Sequence, residues 1–412
     1  MRPGACSIRR LAFMLTALPF GVSLMTHPLL FSPLEIRGIT VPNRVVIAPM
    51  HQYAAIKGFP TDWHLMNIGR FAAGGAGLVM VESTKVERRG CGTVGDLGLW
   101  HDDFIPHVAR LAEFIRAQGA VPAIQLGHSG RKARRSRPWE GGKPLTAETA
   151  NVDDWDDWEL VAPSAESDPG DPRPRALGVE EIADLVVAWG AAARRADAAG
   201  FDVLEIHGAH GYLLHQFLSP VANRRNDGYG GSEDNRMRLV TEVIEEVRAN
   251  WPQHKPLFLR LSVEDDAGWG PEENVRLGRR VKALGVDVID CSSGGITGAP
   301  VVSAGPVSYG YQVPYAHKLR DEADIKTMAV GLIVHADQAE KILQDGRADL
   351  IAIAREALHN PNWAYDAAIK LGINSPEDLL PPPMRYWLDK RSRWVKDVTP
   401  STLIAGIDGP SA

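Results

Sequence analysis

Eight short apolar runs recur along the chain, separated by stretches whose apolar residues repeat with helical spacing. They are "RVVIA" (44–48), "GLVMVE" (77–82), "PAIQL" (122–126), "VLEIH" (203–207), "LFLRLS" (257–262), "VIDC" (288–291), "TMAVG" (327–331) and "LIAIA" (350–354). Nearly continuous apolar character is what a strand buried on both faces requires. Between the runs, "FIPHVARLAEFIRAQG" and "EEIADLVVAWGAAARRADAAG" predict amphipathic helices, the second closing on Gly200, a residue suited to the left-handed turn after a helix. Ahead of the first run, "LFSPLEIRGITVPNR" predicts a hairpin closed at Arg37-Gly38. Eight strand–helix units predict an α/β protein, a (β/α)8 TIM barrel with an N-terminal hairpin. A doubly wound open sheet is the alternative, but it would want a Gly-x-Gly-x-x-Gly turn after the first strand, and none is found there.

The interval between the third and fourth runs is far longer than the others. Its Pro-, Gly-, Trp- and charge-rich middle predicts a long cap insertion between strand 3 and helix 3, at about residues 133–178. Within it, "NVDDWDDWEL" interleaves aspartates with tryptophans, which either greet a basic or bulky substrate or fasten the cap to the barrel. The barrel unit spans 26–380, and a C-terminal extension occupies 381–412, with a loose tail expected after Lys396. Residues 1–25 stand apart: arginines precede an apolar stretch too short to span a bilayer, and Met25 directly precedes "THPLLFSPLEIRG". That segment is read either as a misassigned start or as a targeting sequence.

Composition narrows the class. A formal charge of −6 argues against a nucleic-acid partner, and nothing later in the chain resembles a membrane span. The three cysteines, Cys6, Cys91 and Cys291, stand far apart, too few for a disulfide framework or a four-thiolate cluster. A reducing, cytoplasmic setting is therefore expected.

In such barrels chemistry gathers at the C-terminal ends of the strands. Those positions hold Pro49, Met50 and His51, Glu82 and Ser83, Gln125, His128, His207, His210, Arg260, Ser292, Ser293, Gly331 and Arg355, with Glu82 the only carboxylate. A metal-dependent hydrolase would want clustered His and carboxylate ligands, and this set lacks them, so no metal is expected. Gly331 and Arg355 follow the seventh and eighth strands, where these barrels commonly hold a phosphate. Arg260 and Gln125 suit a planar heterocycle that becomes anionic on reduction, and a flavin fits. Against this, Arg260 could pair with a barrel carboxylate and Gln125 could be a core residue.

These positions lie within longer blocks, "VIAPMHQY", "GLVMVEST", "AIQLGHSGRKA", "AARRADAAGFDVLEIHGAHGYLLHQFLSPVANRRNDGYGGSEDNR", "GVDVIDCSSGG" and "ADLIAIAREALHNP". Through them the sequence resembles the Old Yellow Enzyme family of FMN-dependent ene-reductases, specifically its short bacterial branch, from about Leu29 to Trp363. The resemblance implies that Pro49, Met50, Ser83, Gln125 and Arg260 contact the isoalloxazine and ribityl parts of FMN, and that Gly331, Ala354 and Arg355 hold its phosphate. It implies that His207 and His210 donate to the carbonyl oxygen of an α,β-unsaturated substrate and that Tyr212 protonates its α-carbon, with His51 and Tyr53 lining the pocket. NADPH or NADH would be the reductant, and a homo-oligomer, dimer or tetramer, the assembly. Oxidative demethylation or dehydrogenation of a small amine on the same barrel is the alternative activity.

The chain departs from the family's pattern in places. His51 stands where the branch commonly has a cysteine, and a protonated imidazole there would favour an anionic reduced flavin. Ala354 replaces a glycine, which matters only if that position needs positive φ. Leu388, flanked by Arg385 and Arg391, stands where the branch places an arginine that reaches a neighbouring subunit.

Overall fold

The computed structural model describes residues 27–167, 170–265, 267–298 and 307–394; the segment 1–25 and the tail after Lys396 lie outside them. The predicted hairpin is present, with Leu34–Ile36 paired antiparallel to Ile39–Val41. Eight strands follow: β1 (Val45–Ile47), β2 (Leu78–Lys85), β3 (Val121–Gly127), β4 (Val203–Gly208), β5 (Leu257–Ser262), β6 (Val288–Ser292), β7 (Lys326–Ala329) and β8 (Leu350–Ile353). All neighbouring pairs are parallel, and β8 pairs with β1 to close the barrel. The chain is thus a (β/α)8 barrel.

Alternation along each strand divides the apolar residues into two layers. Val46, Leu78, Met80, Val203, Phe258 and Met328 fill the barrel, and Ile36 and Val41 of the hairpin join that cluster. The intervening positions, such as Val79, Ile124 and Leu204, face outward into a second core shared with the helices α1 (Asp62–Ala72), α2 (Ile105–Ala117), α3 (Val179–Ala198), α4 (Glu233–Asn250), α5 (Pro271–Ala283), α6 (Val313–Glu322), α7 (Ala336–Gln344) and α8 (Trp363–Lys370).

Between β3 and α3 the chain forms short turns and a two-stranded ribbon, Val161–Ala162 with Arg175–Ala176. The acidic, tryptophan-rich segment of this insertion is tied down. Trp158 is fully buried, its indole N–H donates to the Cys91 carbonyl at 2.7 Å, and Arg88 stacks 4.1 Å over its ring. Asp154 accepts a bidentate pair from Arg88, at 2.6 and 2.9 Å, and Asp153 pairs with Lys57 at 2.7 Å. Those two aspartates are therefore spent on the protein's own cations, and the tryptophans fasten the cap. After α8, α9 (Pro382–Trp394) carries Tyr386 and Trp387 exposed, and Arg385 pairs with Asp378. Among the described residues no helix is long and apolar enough to cross a membrane.

Candidate active site

The C-terminal mouth of the barrel owes its shape to an irregularity in β2. The pairing of β2 with β3 shifts between Val81 and Thr84, a bulge that reverses the alternation of the following side chains. Glu82, which simple alternation would point into the barrel, instead faces α1. There it accepts from the Gln52 backbone N–H at 2.8 Å and lies 3.3 Å from His64 Nε2. It thus braces the loop after β1, which carries Pro49, Met50 and His51. Ser83 and Lys85 turn inward instead. Lys85 is fully buried and donates from Nζ to Ser83 Oγ and to His51 Nε2, both at 3.1 Å, with Asp96 Oδ2 at 3.5 Å.

At the end of β4, His207 is buried, whereas His210 and Tyr212 are partly exposed to the mouth. The His207 and His210 rings meet edge to face at 5.1 Å, and Tyr212 lies 4.9 Å from His207 in the same manner. His207 Nδ1 accepts from the Ala209 N–H at 3.2 Å, which places its ring proton on Nε2. His210 has φ +60°, is anchored by its N–H to Ser262 Oγ at 3.0 Å, and meets Ser292 Oγ through Nε2 at 2.7 Å. Lys132 donates to the carbonyls of His210 and Gly295. Gly295 has φ +102°, and a Cβ there would lie 2.4 Å from the His210 carbonyl carbon, so the β6 loop approaches His210 this closely only as glycine. Desolvation, then the neighbouring imidazole and Arg260, holds His207 well below the ordinary imidazole range; desolvation and Arg260 do the same for His210. Desolvation pushes the Tyr212 phenol up. At neutral pH the three groups are two neutral imidazoles and a protonated phenol. His215 is a structural residue, its Nδ1 accepting from the Gly211 N–H at 2.9 Å.

Arg260 rises from β5 between two buried carboxylates that the strand-end reading missed, correcting the expectation that Glu82 stood alone. Asp290 is its cross-strand partner on β6, with Oδ2 at 3.1 Å from Arg260 Nε, and Glu205 on β4 accepts from Gln125 Nε2 at 2.7 Å. Both acidic residues sit one alternation below the mouth, inside "VLEIH" and "VIDC", where the period-2 pattern itself would have revealed an inward carboxylate. Burial, and for Glu205 also the charge of Asp290, pushes both above the carboxylate range.

Beside Arg260 opens a cavity of about 540 Å³ lined by His210, Arg260, Gly331, Ala354 and Arg355, among others. Pro49 and Met50 after β1, Ser83 on β2 and Gln125 on β3 are outside this lining. Arg260 Nε has no aligned acceptor among the described residues, although Asp290 Oδ2 lies 3.1 Å from it. Gly331 has φ +106°, and a Cβ there would come within 2.4 Å of Gln312 Oε1. Ala354 has φ −114°, so alanine is accommodated where the family has glycine. A cavity bordered by Arg260, Arg355 and the backbone of Gly331 and Ala354 is compatible with a phosphate-bearing cofactor such as FMN.

His51 lies among aromatic neighbours. Its ring stacks on Tyr53 at 5.2 Å and meets Tyr212 edge-on at 6.1 Å. Desolvation and the Lys85 charge lower its pKa to about 3, so among its protein neighbours the imidazole is neutral. Tyr53 has φ +52°, and its carbonyl accepts from Arg137 Nε of the cap at 2.8 Å, linking the pocket wall to the insertion.

A parallel barrel with arginines and neutral imidazoles at its mouth is compatible with a flavin-dependent oxidoreductase, and the comparisons with known proteins assign that class. Residues 29–374 match the model of the NADH:flavin oxidoreductase / NADH oxidase family. The chain is 43% identical over 352 residues to an NADPH dehydrogenase of Halalkalibacterium halodurans, covering 84% of this chain and 96% of that one. It is 40% identical over 362 residues to the NADPH dehydrogenase of Bacillus subtilis, covering 87% and 98%. Among solved structures, morphinone reductase superposes with a TM-score of 0.70 at 26% identity, covering 88% of this chain and 94% of that one. The chain belongs to the NADH:flavin oxidoreductase / NADH oxidase family, that of the Old Yellow Enzymes. It is an FMN-dependent NAD(P)H oxidoreductase.

Proposed function

We propose that the protein reduces the activated C=C bond of α,β-unsaturated carbonyl compounds at the expense of NAD(P)H. The observation that carries this reading is the pair of neutral imidazoles, His207 and His210, with the Tyr212 phenol beside them. When bound, FMN supplies the hydride chemistry. The protein's own residues manage the charge and the proton. His207 presents Nε2–H. The Ser292 hydroxyl takes a hydrogen bond from Gln312 at 3.1 Å and can donate its own proton to His210 Nε2, which leaves His210 its proton on Nδ1. Two fixed N–H donors stabilise a carbonyl oxygen as it gains negative charge, and they need no reorganisation to do so. The upward-shifted phenol of Tyr212 keeps its proton until the substrate's α-carbon takes it.

The visible spectrum of the purified protein tests the reading, taken before and after addition of a phenol. A flavin band that gains a long-wavelength charge-transfer band supports it; a reconstituted protein without that new band speaks against the imidazole pair as an oxyanion site. Tyr212→Phe gives a sharper test, because it removes the proton donor and leaves the oxyanion site. Enone reduction falls by about 10²–10⁴-fold, whereas anaerobic flavin bleaching by NADPH proceeds at close to the original rate. Equal loss in both half-reactions would assign Tyr212 to binding alone.

A further inference from the structure

Lys85 is a fully buried residue at the C-terminal end of β2, beside His51, for which the proposed reaction has no use. An ammonium has three N–H donors and no acceptor. Its hydrogen-bond partners are Ser83 Oγ and His51 Nε2, both at 3.1 Å, and Asp96 Oδ2 is an ion-pair partner at 3.5 Å. Asp96 is held as an acceptor by the Gly92 N–H at 2.7 Å and the Thr93 hydroxyl at 2.8 Å. His51 Nε2 can therefore only accept, which puts the ring proton on Nδ1. That nitrogen has no hydrogen-bond partner among the described residues, and the ring carrying it is fixed between Tyr53 and Tyr212.

We propose that Lys85 is a positioning residue that locks His51 as its Nδ1–H tautomer, giving the pocket a third neutral donor that selects substrates bearing a second acceptor oxygen. Cyclic imides and ene-diones have this character; a simple cyclic enone does not. The substrate half of the proposal rests on the ene-reductase reading, and the tautomer half does not. The device needs a histidine after Met50 together with a lysine turned inward by the β2 bulge. The charged groups facing the His51 ring are Lys85 from β2, Asp96 from the loop beyond it and Arg260 from β5, and the other titratable neighbours are Tyr53, Tyr212, His207 and His210. Lys85 and Arg260 both oppose protonation of the ring, and Asp96 favours it less strongly than Lys85 opposes it.

Long-range proton–nitrogen correlation spectra of the 15N-histidine-labelled holoprotein read the tautomer directly, with His51→Phe identifying the resonance. The expected signature is a neutral Nδ1–H ring, unchanged across the neutral pH range, which becomes a tautomer mixture or begins to titrate in Lys85→Met. A wild-type ring protonated on Nε2, or doubly protonated, overturns the proposal whatever Lys85→Met shows. An Nδ1–H signature that persists in Lys85→Met overturns it as well. The kinetic readout is the ratio of kcat/KM for N-ethylmaleimide to that for 2-cyclohexenone, which falls by about tenfold in both His51→Phe and Lys85→Met, the worth of roughly one neutral hydrogen bond. An unchanged ratio overturns the selectivity. If neither substrate is turned over while the Nδ1–H signature depends on Lys85, the ene-reductase reading fails and the Lys85–His51 lock stands.

Discussion

Enone turnover falls by about 10²–10³-fold when either His207 or His210 is replaced by alanine, the usual consequence of deleting one preorganised donor from an oxyanion site. The double variant loses at least as much as either single one, but not the product of the two, because donors gripping one atom act as a unit. The size of the effect follows from the surroundings. Both rings are desolvated and lie against Arg260, so they stay neutral and their N–H groups do not depend on pH through the neutral range. His210 is also held by bonds that a mutation at 207 leaves intact, to Ser262 Oγ at 3.0 Å and Ser292 Oγ at 2.7 Å. The single variants should therefore keep their fold and their flavin, and the loss should fall on kcat with the enone and on affinity for a phenol. Steady-state kinetics with 2-cyclohexenone and a phenol titration followed by the charge-transfer band measure these separately. Turnover of the double variant within a few-fold of wild type would remove the imidazole pair from the reaction.

The barrel is legible in the sequence because its strands are covered on both faces and so appear as uninterrupted apolar runs, each within a few residues of its observed bounds. The same property hides the polar residues within those runs. Glu205 and Asp290 are embedded in "VLEIH" and "VIDC", and only strict alternation separates an inward carboxylate from an outward one. Alternation in turn fails in β2. The run "GLVMVE" stops at Glu82, whereas the strand continues to Lys85, and the bulge between Val81 and Thr84 exchanges the faces of the residues beyond it. Lys85 is invisible for that reason, and with it the partner that keeps His51 neutral. The end of the fourth run places His207 and His210 at the mouth, whereas Tyr212 and the roles expected of the three come only from the resemblance carried by the long block around them. The backbone there is irregular, with φ +60° at His210, and no periodic rule predicts that turn.

Replacing Arg260 with methionine is expected to destabilise the protein by about 3–5 kcal/mol, the range for breaking a buried ion pair from one side, and to abolish retention of FMN. Arg260 is the cation beside Asp290, at 3.1 Å, and its charge favours the ionised forms of both Asp290 and Glu205. Asp290 Oδ1 and Oδ2 and Glu205 Oε2 have no aligned hydrogen-bond donor, so little else compensates those charges. With the guanidinium gone, both carboxyls bind protons more tightly in the folded state than in the unfolded chain. The folded state then carries the excess protons between the unfolded carboxylate pKa and the raised folded one, so stability falls as pH rises through that window. Wild type already has the same sign, since both groups are shifted upward, and Arg260→Met steepens it. Denaturant midpoints measured at several pH values, together with the flavin-to-protein absorbance ratio after purification, test both effects. Adding Glu205→Gln and Asp290→Asn to Arg260→Met separates them: neutral amides in place of the stranded carboxyls restore stability and flatten its pH dependence, but they supply no cation for the flavin ring. A triple variant that regains FMN would show that Arg260 serves the barrel's carboxylates and not the cofactor, and a stability loss in Arg260→Met that is uniform across pH would show that packing rather than charge is what the arginine contributes.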